Sequence, residues 1–165
     1  MSDAEKPKGY LRRQYERLKK AWLRALEENA DPYRFAWAVA LGAFITAGPF
    51  YGIRLPSAIG VAWVARLNRL TAALSSHLLP APLCFPLFYY EIKLGAAILG
   101  RSVPPWPARS SEVVAAMRDA LLSWAVGGLL VAPFAAALAF FLAYPSAVRY
   151  RARKARKAAE AAGAS

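Results

Sequence analysis

From Ala120 to Tyr144 the chain reads ALLSWAVGGLLVAPFAAALAFFLAY, 25 residues without a charge. A helix needs about 20 such residues to cross a hydrocarbon core about 30 Å thick. A soluble core helix of this length would have to be covered on every face. A chain of 165 residues forms one small domain and can hardly supply that cover. Gly127, Gly128 and Pro133 would weaken a soluble helix, whereas membrane helices tolerate them. The run predicts a transmembrane helix over residues 113–144, with Val113, Val114, Met117 and Leu121 continuing its apolar face. Composition agrees. Hydrophobic residues make up 58% and charged residues 19%, against about 45–50% and about 25% in soluble domains.

Two further runs are long enough but interrupted. Residues 35–53 are 19 uncharged residues containing Gly48, Pro49 and Gly52. Residues 70–90 are 21, containing Pro80, Pro82 and Pro86. Proline removes a backbone donor and pushes the residue before it out of helical geometry. Each run therefore predicts a half-helix, a break and another half-helix, within broken segments 35–66 and 70–99. Between Arg54 and Arg66 lie 11 apolar or small residues, too few to cross alone but enough for one arm of a re-entrant hairpin. The expected fold is all-α: a small integral membrane protein with broken, re-entrant helices and one clear C-terminal transmembrane helix.

The net charge of +12 is distributed in a way that points to a membrane and not to nucleic acid. Residues 1–31 carry net +2, residues 32–144 net +5 and residues 145–165 net +5. The basic residues gather in the tails and punctuate uncharged runs, as the bias of Lys and Arg towards the cytoplasmic face requires. Leu11, Tyr15, Leu18, Trp22 and Leu26 share one helical face, which predicts that residues 1–31 hold a basic amphipathic helix on the membrane surface. The same residues lack the apolar core of a signal peptide. Residues 145–165 read as a basic cytoplasmic tail, with six basic residues between Arg149 and Lys157 that attract anionic lipid headgroups. Two like-sided tails require an even number of crossings. Residues 100–112, with Pro104, Pro105 and Pro107, form the stiff loop before the last span.

Part of this pattern resembles a known family. Its residues are Asp31-Pro32, FAWAVALGAF with Gly42, Pro49-Phe50-Tyr51-Gly52 and Arg66-Leu67-Asn68-Arg69. Pro82-Leu83, Pro86, Tyr89-Tyr90 and Lys93-Leu94-Gly95 complete it. Residues 31–100 thereby resemble the bacterial membrane family known as domain of unknown function 2062. Relatives often carry Asn before the second-break proline, where Ala81 stands here. The resemblance implies the bacterial inner membrane and broken-helix architecture. Relatives joined to glycosyltransferases imply work on envelope glycolipids or polyprenyl lipids.

Charged residues at membrane depth are costly and often functional. Arg54 follows the first break, Arg66, Asn68 and Arg69 follow the next apolar arm, and Glu91 and Lys93 follow the second break. Half-helix amino ends carry partial positive charge, and Arg grips phosphate with paired hydrogen bonds. These six residues form the expected anion site of a small transporter or flippase-like carrier of an anionic, lipid-linked substrate. Glu91 is the only acid between Asp31 and Glu112, so it neutralises an arginine or carries a proton. The alternative is a non-catalytic membrane adaptor recruiting a cytoplasmic envelope-biogenesis partner. An enzyme is the weaker reading, since Glu91, Glu112, Asp119 and His77 form no HExxH and the chain has no GxSxG or phosphate loop. No metal or cofactor is expected with one Cys, Cys84, and one His, His77. Gly127, Gly128 and the small residues 135–139 permit close helix approach, including a homodimer.

Overall fold

The computed structural model describes residues 16, 20, 31–50, 52–77, 81–101 and 113–163, without the side chains of 81–85 and 114. Among these residues the protein is all-helical, with five helices. They are α1 (Pro32–Ala47), α2 (Arg54–Val64), α3 (Arg69–Ser75), α4 (Ala81–Ile98) and α5 (Val113–Gly163). The expected amphipathic helix and the proline loop lie outside the described residues, except that Glu16 and Lys20 are helical and exposed.

Local chemistry sets the helix ends. Asp31 caps α1, its carboxylate accepting from the Tyr33 N–H at 2.9 Å, with Pro32 in the first helical position. α1 stops at Ala47 because Pro49 forces Gly48 into extended geometry (φ −91°, ψ 171°). The chain turns through Gly52 at φ 90°, a left-handed conformation open to glycine, and α2 begins at Arg54. Asn68 caps α3, accepting from the Thr71 N–H at 2.9 Å. α2 and α4 end alike. Leu67 N–H bonds back to Ala62, and Arg101 N–H to Ala96, over a left-handed residue. That residue is Gly100 (φ 63°) after α4 but Arg66 (φ 54°) after α2.

The proline expectations need one correction. The second break falls before Ala81, and α4 runs unbroken through Pro86. Pro82 lies in the first turn, where its missing N–H has no partner to lose, so it starts a helix instead of breaking one. Pro86 costs one backbone hydrogen bond without ending the helix. Pro80 lies outside the described residues.

α5 is the spine. At 51 residues it is about 75 Å long, and it continues through Pro133 and Pro145 to Gly163 without a break at Tyr144. α5 is the one described helix long and apolar enough to cross a membrane. α1 and α4 both run antiparallel to it. Gly128 faces Ala47 and Tyr33 faces Phe140 and Tyr144 on the α1 side, while Gly127 faces Glu91 and Gly95 faces Ser123 on the α4 side. α2 folds back along α1. Arg54 at its start reaches the Thr46 carbonyl (3.5 Å), and the Arg66 carbonyl at its end accepts from Arg34 (2.8 Å). α3 then returns inward to meet α1. α1 and α2 therefore make a hairpin opening at the end where α5 carries its basic residues, and α4 leads to the opposite end.

The core is built of small residues. Ala36, Ala38, Ala40, Ala58, Ala62, Ala72, Ala96, Ala132 and Ala147 are buried, with Phe35, Val39 and Ile45 the larger exceptions. Large apolar side chains face outward: Val64 is 79% exposed, Phe134 78% and Phe141 72%. Small inside and large outside is the pattern of helices solvated by lipid. The glycines give the closest approaches. A Cβ at Gly95 or Gly127 would collide with the backbone of Ser123 or Glu91. Gly127 and Gly128 are thus used within the chain, against α4 and α1.

Gly127→Val should lower stability by about 1–3 kcal/mol or more, because backbone cannot yield as a side chain can. Gly60→Ala meets nothing within 4 Å and should raise stability by up to about 1 kcal/mol through helix propensity. Thermal unfolding in detergent, followed by circular dichroism, compares the two.

Candidate functional site

The polar side chains buried in the described bundle concentrate where the helix breaks meet. The Thr46 hydroxyl, near the end of α1, lies 2.8 Å from both the Gly42 and Ser76 carbonyls, which share its single proton. That contact joins the first break to the end of α3. Ser75 donates to the Thr71 carbonyl at 2.8 Å and lies 3.2 Å from the Ala38 carbonyl. Gly42 leaves room for it, since a Cβ there would strike the Ser75 side chain. Of these carbonyls, that of Ser76 lies past a helix end and lacks an intrahelical donor, while those of Gly42, Ala38 and Thr71 lie within their helices.

Glu91 projects from α4 into this junction and is fully buried, at 0% exposure. Its Oε2 accepts from the Trp124 indole N–H at 2.8 Å. Trp124 is held edge-on against Phe88, with centroids 5.7 Å apart. Oε1 of Glu91 has no hydrogen-bond partner among the described residues. Arg54, half-buried at the start of α2, lies within electrostatic reach of the carboxylate. The roof is α5, where a Cβ at Gly128 would sit 3.5 Å from Glu91 Oε2 and 3.1 Å from the Ala47 carbonyl. Gly127 and Gly128 are the eighth and ninth residues of the 25-residue uncharged run, about 12 Å of helix from its start.

The structure divides the six expected anion-site residues. Arg54 and Glu91 come together. Arg66, Asn68 and Arg69 lie at the other end of α2, about 15 Å of helix away, so they do not share one pocket with Arg54. Arg66 closes α2 in left-handed geometry, and its carbonyl accepts from Arg34. Asn68 is a helix cap, and Arg69 is exposed. Lys93 is rotated about 200° from Glu91 around α4, exposed, with Nζ 5.1 Å from the centre of the Tyr89 ring. Of the expected break residues, Gly48 and Pro49 border the junction, while Gly52 is exposed in the turn beyond it.

Other polar residues are accounted for. Arg101 pairs with Asp119 at 2.7 Å, far along α4 from Glu91. His77 is exposed, with Nδ1 3.0 Å from the Ser76 hydroxyl and 3.3 Å from the Ala73 carbonyl. No cluster of His, Cys, Asp and Glu able to hold a metal occurs among the described residues. The residue that sequence reasoning missed is Trp124. A tryptophan in an apolar run reads as membrane filler, and only the crossing of α4 on α5 shows what its N–H meets.

A family model described as an uncharacterized protein conserved in bacteria, domain of unknown function 2062, matches residues 15–156. The chain belongs to this family. The match reaches beyond residues 31–100 and takes in α5, so the Glu91–Trp124 contact lies wholly inside the domain of unknown function 2062. No curated protein and no solved structure matches the chain.

Trp124→Phe in this family member should cost about 1–3 kcal/mol, because it strips a buried carboxylate of its donor. Combined with Glu91→Leu, the loss should be less than the sum of the two, since no carboxylate remains to be stranded. Melting temperatures of the two single variants and the double variant in one detergent measure the coupling.

Proposed function

We propose that this protein is a small carrier of the bacterial inner membrane, a transporter or flippase-like protein for an anionic, lipid-linked substrate. The observation that carries the reading is Glu91: fully buried, one oxygen unpartnered among the described residues, beside Arg54 and at the meeting point of two helix breaks. Ionisable groups at membrane depth mark substrate and ion paths. Carriers build such sites from interrupted helices near mid-membrane. The start of α2 adds N–H groups without intrahelical acceptors to the Arg54 guanidinium, a combination suited to a phosphate group.

The topology in this reading is multi-pass. The α1–α2 hairpin enters and leaves on one side, α3 and α4 together make a broken crossing, and α5 crosses back. Both termini then lie on the cytoplasmic side. The distribution of charge supports this orientation. Arg34, Arg66, Arg69 and the six basic residues of 149–157 gather at one end, against Arg101 and Arg118 among the described residues at the other. Arg66 and Arg69 serve at headgroup level. The membrane lipids, anionic headgroups included, are the partners of the outward apolar and basic surfaces.

A second reading has one observation in its favour. Residues 149–163 continue α5 as a basic helix, largely exposed, whose cations suit an acidic cytoplasmic partner. An adaptor working this way would lose function on deletion of 149–165 and keep it in Arg54→Ala.

Proteoliposomes holding fluorescent phosphatidylglycerol or a fluorescent polyprenyl phosphate separate the readings. The carrier should move at least one of these lipids between leaflets, as read by dithionite quenching. Arg54→Ala and Glu91→Ala should each slow it by about tenfold or more while the protein still inserts and accumulates. No movement of any anionic lipid would contradict the proposal.

A further inference from the structure

Arg54 and Glu91 place one positive and one negative charge in a site whose other described walls carry none. From α5 the groups facing Glu91 are the neutral Trp124 indole and two glycines. From α1 they are the Ala47 carbonyl and the Gly48-Pro49 backbone. The neighbouring end of α3 contributes Ser76 to Thr46, and His77 beyond it is exposed and turned to Ser76 and Ala73. On α4 itself Lys93 points away over Tyr89, and Arg101, in the turn past the end of α4, is bonded to Asp119.

This inventory limits what the site can hold. With Glu91 ionised, the pair is neutral. A phosphodiester anion seated on Arg54 brings a second negative charge to the same cation, with Glu91 shut away from water. Two anions served by one cation in a site closed to water cannot both stay ionised. We propose that each phosphodiester anion binding at Arg54 is accompanied by one proton moving from water onto Glu91, so that the carrier moves anion and proton together. This rests on the carrier reading above. The oxygen that receives the proton is Oε1, since Oε2 is already engaged by Trp124. The loaded site holds Arg54 as a cation, the anion, and Glu91 as the neutral acid. When the anion leaves, the proton leaves to the same side and the Glu91 carboxylate again balances the charge of Arg54. One negative and one positive charge move together, so the cycle is electroneutral.

The test uses the full chain in nanodiscs of phosphatidylcholine, which has no net charge. Two probes keep one negative charge across the range studied: dihexanoyl phosphatidylglycerol, a lipid, and dimethyl phosphate, the same group without tails. Calorimetry in weakly buffered solution between about pH 6 and 9 gives affinity and protons taken up per anion bound. Wild type should approach one proton per anion at the alkaline end. Its Kd should rise about tenfold per pH unit there, as linkage of a single proton demands. Glu91→Gln keeps an acceptor for Trp124 and stands for the protonated acid, so it should bind with a flat pH profile and no uptake. Binding of the lipid alone, or of both probes, with these signatures supports the coupling and tells a lipid-linked substrate from free phosphate. Wild-type binding without proton uptake, or uptake unchanged in Glu91→Gln, overturns the coupling while leaving the carrier standing. No binding of either probe to either protein overturns the carrier reading and the coupling with it.

Discussion

The architecture depends on backbone meeting backbone where α4 and α1 reach α5. Gly127 lies against the Glu91 carbonyl and Gly128 faces the Ala47 carbonyl, so two neighbouring glycines hold two different helices. A side chain at Gly127 would push α4 away and uncover Glu91, which is buried because the crossing is tight. The same closeness brings the Trp124 indole within 2.8 Å of the carboxylate. Small residues elsewhere in the core, chiefly alanines, extend this logic. Without water to drive apolar groups together, helices in lipid gain by packing closely and by pairing their polar groups. The junction does both at once.

In the proposed membrane setting, the interruptions in α1–α2 and α3–α4 meet the same constraint. A helix broken at membrane depth leaves carbonyls and N–H groups that lipid cannot satisfy. Here Thr46 answers the Ser76 carbonyl, Arg54 reaches the Thr46 carbonyl, and Ser75 spans towards Ala38. Of the first break, Gly48 is buried and Pro49 lies against Gly128 of α5. The hydroxyls and Arg54 therefore have a structural duty, and Glu91 is the group whose bonding capacity exceeds what the described fold uses.

Much of the fold was legible in the sequence. The uncharged run of 120–144 announced α5, and Gly48-Pro49 ended α1 because its backbone chemistry is local, whereas the cap signal of Asp31-Pro32 went unread. Asn68 before a short apolar stretch carries a capping signal as clear as that of Asp31, yet its position between two arginines suggested a ligand. Prolines were read less well. Pro82 and Pro86 carry the same chemistry as Pro49, but one sits in a first turn and the other is tolerated mid-helix, and position within a helix is not a local property. The candidate site was half legible. Glu91 stood out as the lone acid of a long stretch, and Arg54 as the cation after a break. Arg66 and Arg69 looked equivalent to Arg54 in spacing, and only the hairpin geometry sends them to the opposite end of α2. Trp124 lies 33 residues from Glu91, and no periodicity links the two.

The proposed carrier requires that both breaks turn the chain inside the bilayer, so that α2 returns to the side from which α1 entered while α4 goes on to the other. Single cysteines introduced at Arg34, Arg66, Arg101 and Arg153 in a Cys84→Ser background, in sealed inner-membrane vesicles of known orientation, test it most directly. The account predicts that a membrane-impermeant maleimide labels positions 34, 66 and 153 from one face and position 101 only from the other. Labelling of positions 66 and 101 from the same face would contradict it.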